Sequence, residues 1–221
     1  MSISNDHLHR ISAIVAIALI STVVTQVLYM AFLGGPQPAD PAVGMTNADI
    51  ARYFTDRWQE VATIWTIEAV AFMTIAIGAL TALPGGRRRL GWAALAVAGV
   101  FNLVQIGIGL SLFKPIALAG EAHTWMFWAF VGGAFAFYFI AKIAVGVAAA
   151  AFGFGLMREA HGMMGRVTGG LALLAGVAAA VVNVAALGAG MGWLMIAGGT
   201  GTLAALLLAV ALIAHGRTHT N

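Results

Sequence analysis

Polar residues interrupt this chain at long intervals, and between them run six apolar stretches: 11–33, 61–83, 90–113, 125–157, 167–187 and 192–214. A helix needs about 20 apolar residues to cross a hydrocarbon core ~30 Å thick, and each stretch is long enough. The pattern therefore predicts an all-α protein, a single six-helix transmembrane domain over residues 1–221. The first stretch is too long for the apolar region of a signal peptide and lacks a cleavage site, so it reads as a span. The fourth is longer than a crossing requires. It is expected to tilt, to kink near its glycines, or to project beyond the bilayer.

Polar segments between the spans set the orientation. One side carries Arg10, Arg87, Arg88, Arg89, Arg158, Arg166 and Arg217, and the other Arg52, Arg57 and Lys114. Positive charge stays on the cytoplasmic side, which puts both termini in the cytoplasm and implies a cell inner membrane. The one substantial loop, 34–60, is then external. It begins Gly34-Gly35-Pro36-Gln37-Pro38, which cannot be helix. Thr46 and Asn47 suit a helix cap, and Ile50, Tyr53, Phe54 and Trp58 supply an apolar side to a short helix from about Ala48. That helix is expected to lie in the interface, with Trp58, Trp65, Trp125 and Trp128 in an outer aromatic belt.

Composition narrows the chemistry. Only 9% of the 221 residues are charged, against about 25% in soluble domains, so the solvent of this surface is lipid. The Arg87–Arg89 run reads as a topology signal, and nucleic acid is not expected as a partner. Cysteine is absent, which excludes disulfides, thiolate catalysis and cysteine-ligated metal. The six histidines lie at span ends or tails, a poor arrangement for a haem held across the bundle. No phosphate loop, dinucleotide fingerprint, HExxH or GxSxG pattern is present. Neither a metal nor another cofactor is expected. A bound lipid or flat hydrophobic ligand beside the aromatic-rich fourth span is the alternative. Gly198-Gly199-Thr200-Gly201 sits in an apolar helix and reads as helix packing.

Against this background two residues stand out. Glu68 and Lys142 are ionisable groups inside membrane spans. Each costs about 2.5–3.5 kcal/mol at a helix centre and is expected to face a protein interior or a cavity. Gln26, Gln105 and Asn183 put further polar side chains in the outer halves of their spans. Tyr29 and Asn102 lie one turn from Gln26 and Gln105, and Tyr138 one turn from Lys142. Arg10–Gln26 and Arg89–Gln105 share a sixteen-residue spacing, and Arg166–Asn183 are seventeen apart. Common ancestry of three hairpins and chance at cytoplasmic helix starts both account for this.

The expected site is an outward-facing polar pocket centred on Glu68, drawing on Lys142, Gln26, Tyr29, Asn102, Gln105, Asn183, Trp65 and Tyr138. The competing reading is interhelical hydrogen bonding that only holds the bundle together. If Glu68 and Lys142 meet they form a buried ion pair. If they do not, the carboxyl is placed to exchange a proton as its surroundings change. Three functions follow: binding or transport of a small or amphipathic ligand; a non-catalytic subunit of a larger membrane complex or homo-oligomer; and a lipid or isoprenoid enzyme with Glu68 as acid. The sequence leans away from an enzyme, because no second catalytic group accompanies Glu68.

Overall fold

The computed structural model describes residues 5–84, 88–160 and 162–217, with side chains from 6 to 214 within those ranges. Arg87 of the basic run and His161 and His219 lie outside the described residues, as does the side chain of His215. The described residues form six long helices and two short ones. They are α1 (Asn5–Phe32), α2 (Asn47–Asp56), α3 (Trp58–Ala82), α4 (Arg89–Ile108), α5 (Lys114–Ala117), α6 (Thr124–Glu159), α7 (Met163–Ala189) and α8 (Leu194–Arg217).

Five continuous helical stretches are long and apolar enough to cross a membrane: Asp6–Phe32, Trp58–Ala82, Arg89–Ala117, Glu121–Glu159 and Met163–Ala214. The last is a hairpin. Its chain reverses at a tight turn over Gly190–Trp193, where Gly190 adopts φ +75°, a value glycine tolerates without a Cβ penalty. Large apolar side chains such as Ile17, Ile77, Leu174 and Met195 point outward from the bundle. Such a surface requires lipid, and the protein is a multi-pass membrane protein. Helix α6 runs unbroken over 36 residues, with no break at its glycines. At 1.5 Å per residue it is about 54 Å long, so the excess is absorbed by projection or tilt.

Packing follows a closed ring. α1 packs on α3, α3 on α4, α4 on α6, α6 on α8, and α8 back on α1, while α7 lies outside against α6 and α8. Contacts at glycine and polar positions fix the registers. Along the antiparallel α1–α3 pair, Val15 meets Gly78, Thr25 meets Glu68 and Tyr29 meets Trp65. Along the α6–α8 pair, Tyr138 meets Gly198 and Lys142 meets Gly201, so these two helices run parallel.

The α6–α7 seam is drawn tight by four glycines at seven-residue spacing, Gly146 and Gly153 on one helix and Gly169 and Gly176 on the other. A methyl group on Gly146 would stand 2.5 Å from the Gly176 carbonyl oxygen, and one on Gly169 would stand 2.6 Å from the Met157 nitrogen. Only hydrogen fits there, which lets two backbones gain dispersion contacts that larger residues would prevent.

Two apolar layers fill the ring. Away from α2, Leu19, Phe72, Leu95, Phe152 and Leu208 share one buried cluster. At the α2 end, Ile50, Phe54, Phe113, Phe127 and Val131 share another. The polar residues of α1, α3, α6 and α8 lie between the two. Helix α2 starts as the sequence suggests, at a Thr46 cap. The Thr46 hydroxyl accepts from the Asp49 N–H (3.2 Å), and the Asp49 carboxylate accepts from the Thr46 N–H (3.1 Å), a reciprocal cap. The Thr46 donors, the Ala39 N–H and Arg52 hold the Asp49 carboxyl below the usual carboxylate range.

Candidate functional site

Helix α1 organises the polar layer with two consecutive residues. Successive side chains on a helix diverge by about 100°. Thr25 accordingly faces α3 and Gln26 faces α6 and α8. The Thr25 hydroxyl lies 3.0 Å from Glu68 Oε1, and the Gln26 amide oxygen accepts from Lys142 Nζ at 3.1 Å and from the Thr202 hydroxyl at 2.9 Å. Glu68 is 7% exposed and Lys142 2%. The acid and the base thus lie inside one ring, each bonded to a neutral partner on α1.

They do not touch. No carboxylate–ammonium contact within 4.0 Å joins them among the described residues. Their helices, α3 and α6, are separated around the ring by α4 on one side and by α1 and α8 on the other. Lys142 is seated elsewhere. Its ammonium stands 5.0 Å over the Tyr138 ring, a cation–π contact, and its stem lies across Gly201 of α8. The glycine-rich run of α8 is therefore a packing feature with specific neighbours. Gly201 makes room for the lysine stem, and Gly198 for the Tyr138 hydroxyl.

Thr25 has one proton and three acceptors in reach. Besides Glu68 they are the carbonyls of Ser21 (3.0 Å) and Thr22 (3.1 Å) on its own helix. A carboxylate at Glu68 accepts that proton. A protonated Glu68 can donate to the Thr25 oxygen instead, while Thr25 turns its own proton to a backbone carbonyl. The pair keeps a hydrogen bond in both protonation states.

Toward α2 the site is covered by aromatic groups. Tyr29 stacks on Trp65 at 5.9 Å between ring centres, and its hydroxyl lies 3.2 Å from that of Tyr53 on α2. Burial pushes the Tyr53 hydroxyl's pKa up, and either hydroxyl can donate to the other. A methyl on Gly109 would stand 2.6 Å from the Trp65 ring. Gly109 opens a π-helical turn, Gly109–Phe113, that extends α4 and contributes Phe113 to the aromatic cluster. Such turns recur at functional sites.

The other expected residues divide. Asn102 is buried on α4, bonded to its own helix at Ala98 (3.0 Å), with its carbonyl oxygen unpartnered. Gln105 is half-buried on the same helix and makes none of the cluster's hydrogen bonds. By the α3–α4 register, in which Gly99 faces Phe72 and Ala76 and Gly109 faces Trp65, Gln105 is level with Glu68. Asn183 lies at the α7–α8 seam, where its amide donates to Ala179 (2.9 Å) and Ala197 (3.1 Å). Trp125 and Trp128 are exposed, as belt residues are, whereas Trp58 and Trp65 turn inward.

Sequence reasoning missed Thr25 and Thr202, and read Gly201 as helix packing without its partner, the Lys142 stem. A threonine in an apolar helix usually bonds its own backbone, as Thr66 and Thr74 do here. Nothing in the pattern distinguishes these two threonines. An apolar groove of about 470 Å³ also runs along the outward seam of α1 and α3, lined by Ile14, Ile17, Ser21, Ile67, Val70 and Thr74. Its α2-side end reaches the level of the Thr25–Glu68 pair.

No protein-family model, curated protein or solved structure matches the chain.

Proposed function

We propose that this membrane protein binds or transports a small or amphipathic ligand through the polar layer around Glu68, with proton exchange at that carboxyl. The observation that carries the reading is the unpaired arrangement. A buried acid and a buried base share one ring, yet each is held by a neutral group on α1, and the Thr25–Glu68 contact survives either protonation state. A bundle that needed only stability would be served by an amide in place of Glu68, or by an acid–base contact, since lone charges in lipid are costly. The apolar groove along α1 and α3, lined at its α2-side end by Ser21, Thr66 and Ile67, supports an amphipathic ligand with its tail against those helices. The distribution of arginine supports cytoplasmic termini, which makes the α2 end external and the site outward-facing.

The test is charge movement in proteoliposomes on a solid-supported membrane, after jumps of pH and of a panel of small polar and amphipathic solutes. Wild type should give transients that Glu68→Gln abolishes while its gel-filtration profile is unchanged. Transients of wild-type size in Glu68→Gln would remove Glu68 from the mechanism. The subunit reading draws on a different observation: Gln26 ties α1, α6 and α8 through one amide oxygen, a bond pattern that a purely structural bundle also uses. A silent wild type that purifies with fixed partners in mild detergent would favour it.

A further inference from the structure

The geometry points to α2 as a gate over the Glu68 site, latched by the contact between the Tyr53 and Tyr29 hydroxyls. This rests on the reading of Glu68 as a site reached from the α2 end. Three features carry it.

The first is placement. Tyr29 lies one helical turn from Thr25, and Trp65 three residues from Glu68, so their stack covers the Thr25–Glu68 pair on the α2 side. Helix α2 closes over that stack. Phe54 packs edge-on against both Phe113 and Phe127, which also touch each other, and Ile50 is buried in the same cluster at the α2 end of the ring.

The second is how α2 is held. Besides the packing of Ile50 and Phe54, its polar tethers to the long helices are few and separable. They are Tyr53 to Tyr29 (3.2 Å), the Asn47 amide oxygen to the Thr124 hydroxyl (3.2 Å) and, just past its end, Arg57 Nη2 to the Phe32 carbonyl (3.1 Å). None is a buried ion pair, so each can be broken and remade at small cost.

The third is how α2 is connected. It joins α3 through the single residue Arg57, whose backbone (φ −113°, ψ 7°) is not helical, and this makes a joint between two stiff elements. It joins α1 through a segment in which Gly34, Gly35 and Gly44 all take positive φ. Glycine carries no Cβ, so the backbone at these three positions can change conformation at low steric cost. Helix α2 can therefore swing about Arg57 while its own fold stays intact, held by the Thr46–Asp49 cap.

The chain has no cysteine, so an introduced thiol is a clean reporter. Thr25→Cys places one beside Glu68 and leaves the acid in place, and Thr202→Cys supplies a second reporter should the first not fold. A membrane-impermeant methanethiosulfonate, present on both faces of proteoliposomes, labels the thiol at a rate set by the open fraction. Tyr53→Phe should speed labelling about fivefold, the population shift expected from losing one neutral hydrogen bond. A metal bridge supplies the reverse change. With Asn47→His and Thr124→His in the reporter background, zinc at about ten times its Kd should slow labelling about tenfold, and chelator should restore it. The reporter without the histidines controls for zinc on the thiol. Equal rates with and without the latch, or no labelling in any variant, would overturn the gate. The result separates from the proton-exchange reading. Latch-dependent labelling with normal charge movement in Glu68→Gln leaves the gate and removes the role of Glu68, and the opposite pair of results does the reverse.

Discussion

Gly201→Ala isolates what seats the buried lysine. The added methyl would stand 2.6 Å from Lys142 Cδ, 2.8 Å from Cγ and 3.1 Å from Cβ. Carbon atoms pack at about 3.5–4.0 Å, so the overlap is close to 1 Å on two successive stem atoms. Neither is the free tip of the side chain, which is pinned by Gln26 and by the Tyr138 ring. Either α6 and α8 separate, or Lys142 leaves its seat. Overpacking of this kind costs about 1–3 kcal/mol, and for a chain of this size each kcal/mol moves the midpoint by roughly 2–4 °C, so a fall in Tm of about 2–12 °C is expected. Thermal unfolding in detergent, followed by intrinsic tryptophan fluorescence, reads it. A cycle with Lys142→Ala tests the cause. Without the stem only the Cβ contact remains, so Gly201→Ala should cost much less in the Lys142→Ala background than alone. Strict additivity, or a Gly201→Ala midpoint within about 1 °C of wild type, would refute the seating argument.

Two further outcomes follow from the same structure. Gly176→Leu forces a side chain where even a methyl meets the Gly146 carbonyl at 2.5 Å, and it should split α7 from α6 with a loss of at least about 3 kcal/mol, seen as a large fall in Tm or aggregation on gel filtration. The cap on α2 should fail in acid. Asp49 titrates lower in the fold than the ordinary value of 3.8, so its contribution is fully present above that value and fades as pH falls through its lower folded value. Amide protection factors over 47–56, corrected for the intrinsic pH dependence of exchange, should therefore fall only below about pH 4, and Asp49→Asn should lower them at neutral pH; protection of α2 that is the same at about pH 3 and about pH 6 would contradict this.

Much of this architecture was legible in the chain. The six apolar stretches match six helices, with most ends displaced by no more than about one helical turn, and Thr46 caps α2 where a cap residue was expected. Hydropathy works here because lipid forces every backbone polar group into a helix, so length and composition leave little choice. Glu68 and Lys142 were also plain, since an ionised group in lipid is conspicuous from its residue type alone. Other features left no trace in that signal. The π-turn at Gly109–Phe113 occupies a stretch that reads as ordinary helix. Thr25 and Thr202 look like any threonine bonded to its own backbone, and Gly201 like any small residue at a helix contact.

The sequence by itself determined that this protein crosses a membrane as a bundle of helices and that an acid and a base lie within it, because both follow from transfer free energies that each residue carries alone. Which groups meet was decided only by the tertiary structure. The order of helices around the ring places α4 between α3 and α6, the helices of Glu68 and Lys142. The rotation of α1 then turns Thr25 to the acid and Gln26 to the base. Order and rotation come from close packing among many small residues, Gly78, Gly99, Gly146 and Gly201 among them, and a packing fit belongs to pairs of surfaces rather than to any residue read singly.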